Sequence, residues 1–141
     1  MTRVVVDANV IVKCFLPEEL SEAAARVLGS GMELWAPELV WAEVGNILWK
    51  KWRKGELSEH EAQSLSTVIV QLPVRIGTTR LLFAAAAALA RRFDRSFYDS
   101  LYLAHAAHLG CLFVTADRRL FNALQGTELS ASLLWVEDLP A

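Results

Sequence analysis

Cysteine is scarce in this chain, long apolar runs are missing, and positive charge is not in excess. Each shortage excludes a class of protein. There are two cysteines, Cys14 and Cys111, in 141 residues. Neither belongs to a paired motif, which excludes a disulfide scaffold and a cysteine-ligated zinc site, and two isolated thiols suit a reducing compartment. Both are expected as buried apolar side chains. No stretch reaches the roughly 18 apolar residues of a membrane span. The longest candidate, Leu81 to Ala90, is alanine-heavy and bracketed by Arg80 and Arg91. Asp7 and Lys13 interrupt any apolar core of a signal peptide, so a cytoplasmic location is expected. Fourteen Lys and Arg against sixteen Asp and Glu give a net charge of -2. That balance excludes a protein held to nucleic acid mainly by counterion release. Repeats, low-complexity segments and linkers are also missing.

What is present is apolar and regularly punctuated. The chain is 54% hydrophobic and 21% charged, and a chain of this length buries roughly two-thirds of its unfolded surface. One domain over residues 1–141 is expected, with apolar area left over for a partner. Strands and helices alternate. Residues 3–6 read as a buried strand, 8–15 as a short helix, and Pro17 with Glu18-Glu19 as the first turn of a helix running to Gly29. Leu34-Trp35 reads as a short strand, and a long helix follows from Pro37 to Lys54, stopped by Gly55. Ser58-Glu59-His60-Glu61 has the form of a capping box for a helix ending before Pro73. After the strand 74–76, Thr79 is placed to cap a helix 80–93, and a second helix covers 97–109. Residues 111–115 read as a strand, 118–124 as a helix and 133–136 as a last strand. This alternation predicts an α/β fold with a mostly parallel sheet covered on both faces.

Four acids stand out against that frame. Asp7 ends the run Val4-Val5-Val6, and Asp117 ends Leu112-Phe113-Val114-Thr115-Ala116. Each is a carboxylate just past a strand, where open parallel sheets collect ligands. Glu43 and Asp99 lie on helices between them. On the long helix, Trp41, Val44, Leu48 and Trp52 make an apolar stripe broadened by Val40 and Ile47, while Glu43, Asn46 and Lys50 share a polar face. The tryptophans are expected in the core, with an interface as the alternative. His105 and His108 point away from Asp99, and His60 is expected on the surface. Basic residues cluster at Lys50, Lys51, Arg53 and Lys54, at Arg91, Arg92 and Arg95, and at Arg118-Arg119. Each taken alone reads as a solvated helix end.

A single Asp after a strand is usually a turn or helix cap; four acids in these contexts point to a divalent cation. Two carboxylates about 4 Å apart repel by about 4 kcal/mol at an effective dielectric of 20. A hard ion such as Mg²⁺ or Mn²⁺ removes that cost, prefers carboxylate oxygen and water, and activates a water toward a phosphodiester. No serine, cysteine or histidine nucleophile is needed.

The segments Val4-Val5-Val6-Asp7-Ala8-Asn9-Val10-Ile11-Val12-Lys13 and Pro37 to Asn46 resemble the PIN-domain family, especially its VapC-like toxin ribonucleases. The resemblance is strongest in Phe97-Tyr98-Asp99-Ser100-Leu101-Tyr102-Leu103-Ala104 and Leu112 to Leu120. It implies an α/β/α sandwich and a Mg²⁺- or Mn²⁺-dependent endoribonuclease acting on RNA. It further implies a homodimer and a cognate antitoxin, with no membrane partner. Asp7, Asp99 and Asp117 match the family's metal-binding acids, and Glu43 the acid that helps hold the metal and its water. Asn9 and Thr115 match polar positions that orient an acid or contact a phosphate. The alternatives are a non-toxin PIN nuclease of RNA processing, or a non-catalytic metal- or RNA-binding module. A haloacid-dehalogenase-like phosphatase would want a second Asp where Asn9 stands. A phospho-receiver domain would want an acid pair after the first strand.

Overall fold

The computed structural model describes residues 2–140. Five strands, β1 (Arg3–Val6), β2 (Glu33–Pro37), β3 (Val74–Gly77), β4 (Leu112–Thr115) and β5 (Leu133–Trp135), form one sheet in the order β3-β2-β1-β4-β5. Every pairing is parallel. Seven α-helices among the described residues connect them: α1 (Ala8–Lys13), α2 (Ser21–Leu28), α3 (Leu39–Arg53), α4 (Glu59–Ile69), α5 (Thr79–Phe93), α6 (Phe97–Leu109) and α7 (Arg118–Ala123).

The valine run at the start explains why β1 is central. Successive side chains of a strand point to opposite faces, so a strand covered on both sides must be apolar throughout. Val4 and Val6 pack into a core shared with Val10, Ala24, Val40, Val44 and Leu48 of α1, α2 and α3. Val5 points the other way, toward Tyr102, Leu103 and Ala106 of α6, with Leu120 of α7. A smaller cluster, Leu82, Ala86, Leu101 and Ala104, packs α5 on α6. The result is the expected three-layer α/β/α sandwich. Buried at every residue from Ser100 to Ala106, α6 shows little amphipathic pattern because it is enclosed on nearly all sides.

Most elements lie where their periodicity places them, and the capping box at Ser58 and Glu61 forms with both hydrogen bonds at 3.0 Å. Several boundaries differ. Pro37 ends β2 rather than opening α3, since its ring suits a strand end next to Gly77. Residues 17–20 do not join α2. Leu20 takes a left-handed φ of 68° and breaks the path, while Glu18 pairs with Lys13 and Lys51 and pins this segment to α1 and α3. Thr78, not Thr79, caps α5 through its side chain. Of the α3 stripe, Val40, Val44 and Leu48 are buried, whereas Trp52 stands 46% exposed, and Trp49, beside the stripe, 49%. Those two tryptophans therefore lie outside the core.

Candidate functional site

Strand order decides where a pocket opens. From β1 the sheet grows through β2 and β3 on one side, then through β4 and β5 on the other. The winding reverses between β1 and β4, and the crevice at the carboxyl end of such a switch point is where ligands bind in open parallel sheets. Asp7 follows the last residue of β1, and Asp117 opens α7 just beyond β4.

Pairing of Val6 with Val114 brings Asp7 level with Thr115. The Thr115 hydroxyl donates to Asp7 Oδ2 at 2.6 Å, and the Ala116 N–H to the same oxygen at 3.3 Å. Asp7 Oδ1 accepts from the Val10 N–H at 2.8 Å and so caps α1. Thr115 Oγ1 also receives the Asp117 N–H at 3.0 Å, so one hydroxyl orients both acids. Asp7 is 6% exposed. Burial is the largest influence on its carboxyl and pushes it up to about 6; the hydrogen bonds pull it down, and the Asp117 charge adds a further push upward.

The other acids arrive from helices. Asp117 accepts from the Leu120 N–H at 3.2 Å and caps α7. Asp99 sits in the first turn of α6, where its own N–H donates to the capping Ser96, and its carboxylate accepts from Arg95 at 3.3 Å. Helix N-termini favour negative charge, which suits Asp7, Asp99 and Asp117 alike. Glu43 projects from within α3, and its Oε1 accepts a 2.5 Å hydrogen bond from the Tyr102 hydroxyl. Burial raises the Glu43 carboxyl, the Tyr102 bond lowers it, and the charges of Asp99 and Asp117 raise it.

All four acids line one pocket of about 430 Å³, together with Asn9, Asn46, Lys50, Tyr98 and Tyr102. The polar face expected on α3 therefore fronts this pocket. Asn9 lines it as well, but Thr115 is fully buried behind Asp7 and takes no part in the wall. Of the two roles open to Thr115, orienting an acid fits this placement and touching a phosphate does not.

Oxygen is the only donor type the acids offer, which is the set hard divalent cations take. Asp99 Oδ1, Asp117 Oδ2 and Glu43 Oε2 carry no hydrogen bond among the described residues. Yet among those residues no three Asp, Glu, His or Cys side chains are already gathered at metal-binding distance. The acids fit the ion in kind and share one pocket.

Other residues singled out by type fall elsewhere. His105 is buried edge-on against Trp35, with ring centroids 5.8 Å apart, and burial pushes it down to about 4. His60 and His108 are exposed, and Cys14 and Cys111 are free and only partly buried. Some members of the basic clusters are committed within the fold. Lys51 pairs with Glu18 at 2.8 Å, Arg92 with Glu128, and Arg118 lies 3.7 Å over the Trp135 ring. Lys50 is the basic residue that lines the pocket. Sequence reasoning passed over Tyr102 and Tyr98 as site residues. Tyr102 stands three residues beyond Asp99, on the same side of α6, and that spacing was the signal.

A parallel α/β/α sandwich with four carboxylates lining a pocket at its switch point defines an α/β protein with an acidic site. The PIN domain pattern matches residues 4–126. Ribonuclease VapC3 of Pyrobaculum aerophilum is 34% identical over 120 residues, covering 84% of this chain and 92% of the relative. The chain belongs to the PIN domain family. Among solved structures, a protein of Pyrobaculum aerophilum superposes with a TM-score of 0.69 at 23% identity, over 96% of this chain and 85% of the other. A toxin–antitoxin complex from Klebsiella pneumoniae gives 0.67 at 13% identity, over 96% and 99%. At these identities the two structures bear on the fold alone.

Proposed function

We propose that this chain is an endoribonuclease dependent on Mg²⁺ or Mn²⁺, and the toxin of a toxin–antitoxin pair. The observation that carries this reading is the meeting of Asp7, Glu43, Asp99 and Asp117 around one pocket at the sheet's switch point. The name of the relative VapC3 supports it, and the fold is one shared with a solved toxin–antitoxin complex.

In this reading Asp7, Asp99 and Asp117 hold the ion, which when bound polarises a phosphodiester and acidifies a water. Thr115 keeps Asp7 and Asp117 in register. Glu43 accepts a proton from the attacking water, which displaces the leaving oxygen at phosphorus in line. Lys50 and Asn9, at the wall of the pocket, contact the phosphate backbone without reading bases. A cognate antitoxin is the partner that blocks the pocket. Exposed Leu81 and Phe83 on α5 support a homodimer. The RNA is cut in the cytoplasm. No helix among the described residues is long and apolar enough to cross a membrane.

The test is cleavage of total RNA by purified, antitoxin-free protein with Mn²⁺, with Mg²⁺ and with EDTA, beside Asp7→Asn. Discrete fragments that need the cation and vanish in the variant are the expected outcome. Equal cleavage by both proteins, or none by the native protein with either ion, sinks the reading.

A further inference from the structure

Tyr102 is 3% exposed, and its ring stacks on Phe113 with centroids 5.3 Å apart and planes 13° from parallel. So fixed, the ring delivers its hydroxyl to the pocket wall, where it donates to Glu43 Oε1 at 2.5 Å. Tyr102 comes from α6 in one helical layer and Glu43 from α3 in the other. Their bond spans the carboxyl edge of the sheet directly over the switch point. Among the described residues no other side chain or backbone group donates to Glu43, while Asp99 and Asp117 press on it with like charge. Among the described residues the phenol is the one hydrogen-bond donor that holds this carboxylate against that repulsion. Burial, reinforced by Glu43, drives the phenol far above its ordinary range, so it acts as a fixed donor.

We propose that Tyr102 is a positioning residue for the cleavage reaction: by binding Oε1 it orients Glu43 so that Oε2 faces the pocket and receives the proton of the attacking water. The inference rests on the nuclease reading above. It assigns Tyr102 no contact with substrate; the residue acts through Glu43.

The test compares native protein, Tyr102→Phe, Glu43→Gln and the double variant, in RNA cleavage and in Mn²⁺ binding by calorimetry. Tyr102→Phe keeps the ring and its stack on Phe113, so the fold is retained and a thermal melt checks it. The expected result is a fall in kcat of about 10–100-fold with KM and the Mn²⁺ dissociation constant nearly unchanged. In the Glu43→Gln background the same change should cost nothing further, because the two residues act as one unit. A Tyr102→Phe variant as fast as the native protein overturns the proposal, as does an equal loss with and without Glu43. A fall in Mn²⁺ affinity matching the loss of rate also overturns it, since Tyr102 would then shape the ion's site instead. Native protein that cuts no RNA with either ion defeats the nuclease reading and this inference together. Native cleavage with an unaffected Tyr102→Phe variant defeats this inference alone.

Discussion

Asp7 shows how one side chain carries structural and chemical duties at once. It caps α1, accepts from Thr115 and Ala116, and still lines the pocket. Its burial has a measurable cost. A carboxyl held near 6 in the fold and near 3.8 when unfolded binds its proton more tightly in the folded chain. That contribution to stability is fully present below about 3.8 and is lost as pH rises through about 6, for a total of about 3 kcal/mol. His105 works in the opposite direction, because its pKa near 4 lies below the ordinary 6.5, and it destabilises the fold on acidification. The two effects largely offset each other in the native protein, so the comparison with a variant is what isolates Asp7. Without metal, the melting temperature of Asp7→Asn relative to native should climb steadily between pH 4 and pH 7. A difference that stays flat across that range contradicts the assignment of a neutralising burial to Asp7.

At the level of elements, close approach explains a position that pattern alone leaves bland. Gly77 ends β3 beside the buried imidazole of His105 on α6, where an added Cβ would lie 2.5 Å from Nε2. The ring cannot move away freely, because Trp35 meets it edge-on. Gly77→Ala should therefore cost about 1–3 kcal/mol by overpacking, read as a lower urea midpoint with an unchanged slope. An unchanged midpoint would mean that the ring relaxes without resistance. The same element pair explains why the H-x-x-H spacing on α6 is no metal site. His105 turns into the packing against the sheet, and His108, most of a turn further on, faces solvent.

For the molecule as a whole, the four acids share one pocket, yet no three of them stand close enough to grip an ion at once. A divalent ion that binds this arrangement binds the folded state, so it must stabilise that state. At about 100 times its dissociation constant Mn²⁺ should add about 2.7 kcal/mol, raising the melting temperature of native protein and not that of Asp99→Asn. Equal shifts in both proteins would place the ion elsewhere. Exposed Trp49, Trp52, Leu81 and Phe83 show that this chain keeps apolar surface beyond its core, as its composition led us to expect.

The sequence by itself determined the layers and the four acids. Apolar runs such as Val4-Val5-Val6 have to be covered on both faces, and a carboxylate directly after such a strand is legible without coordinates. Local rules also placed the caps at Ser58 and the polar face of Glu43, Asn46 and Lys50. Only the tertiary structure decided how those pieces interact. Strand order put Asp7 beside Thr115, 108 positions away in the chain, and stacking on Phe113 aimed Tyr102 at Glu43. It also tied Lys51 to Glu18 and left Trp49 and Trp52 in solvent. Periodicity reports which way a side chain points from its own element, while its partner depends on which other element the sheet order sets opposite.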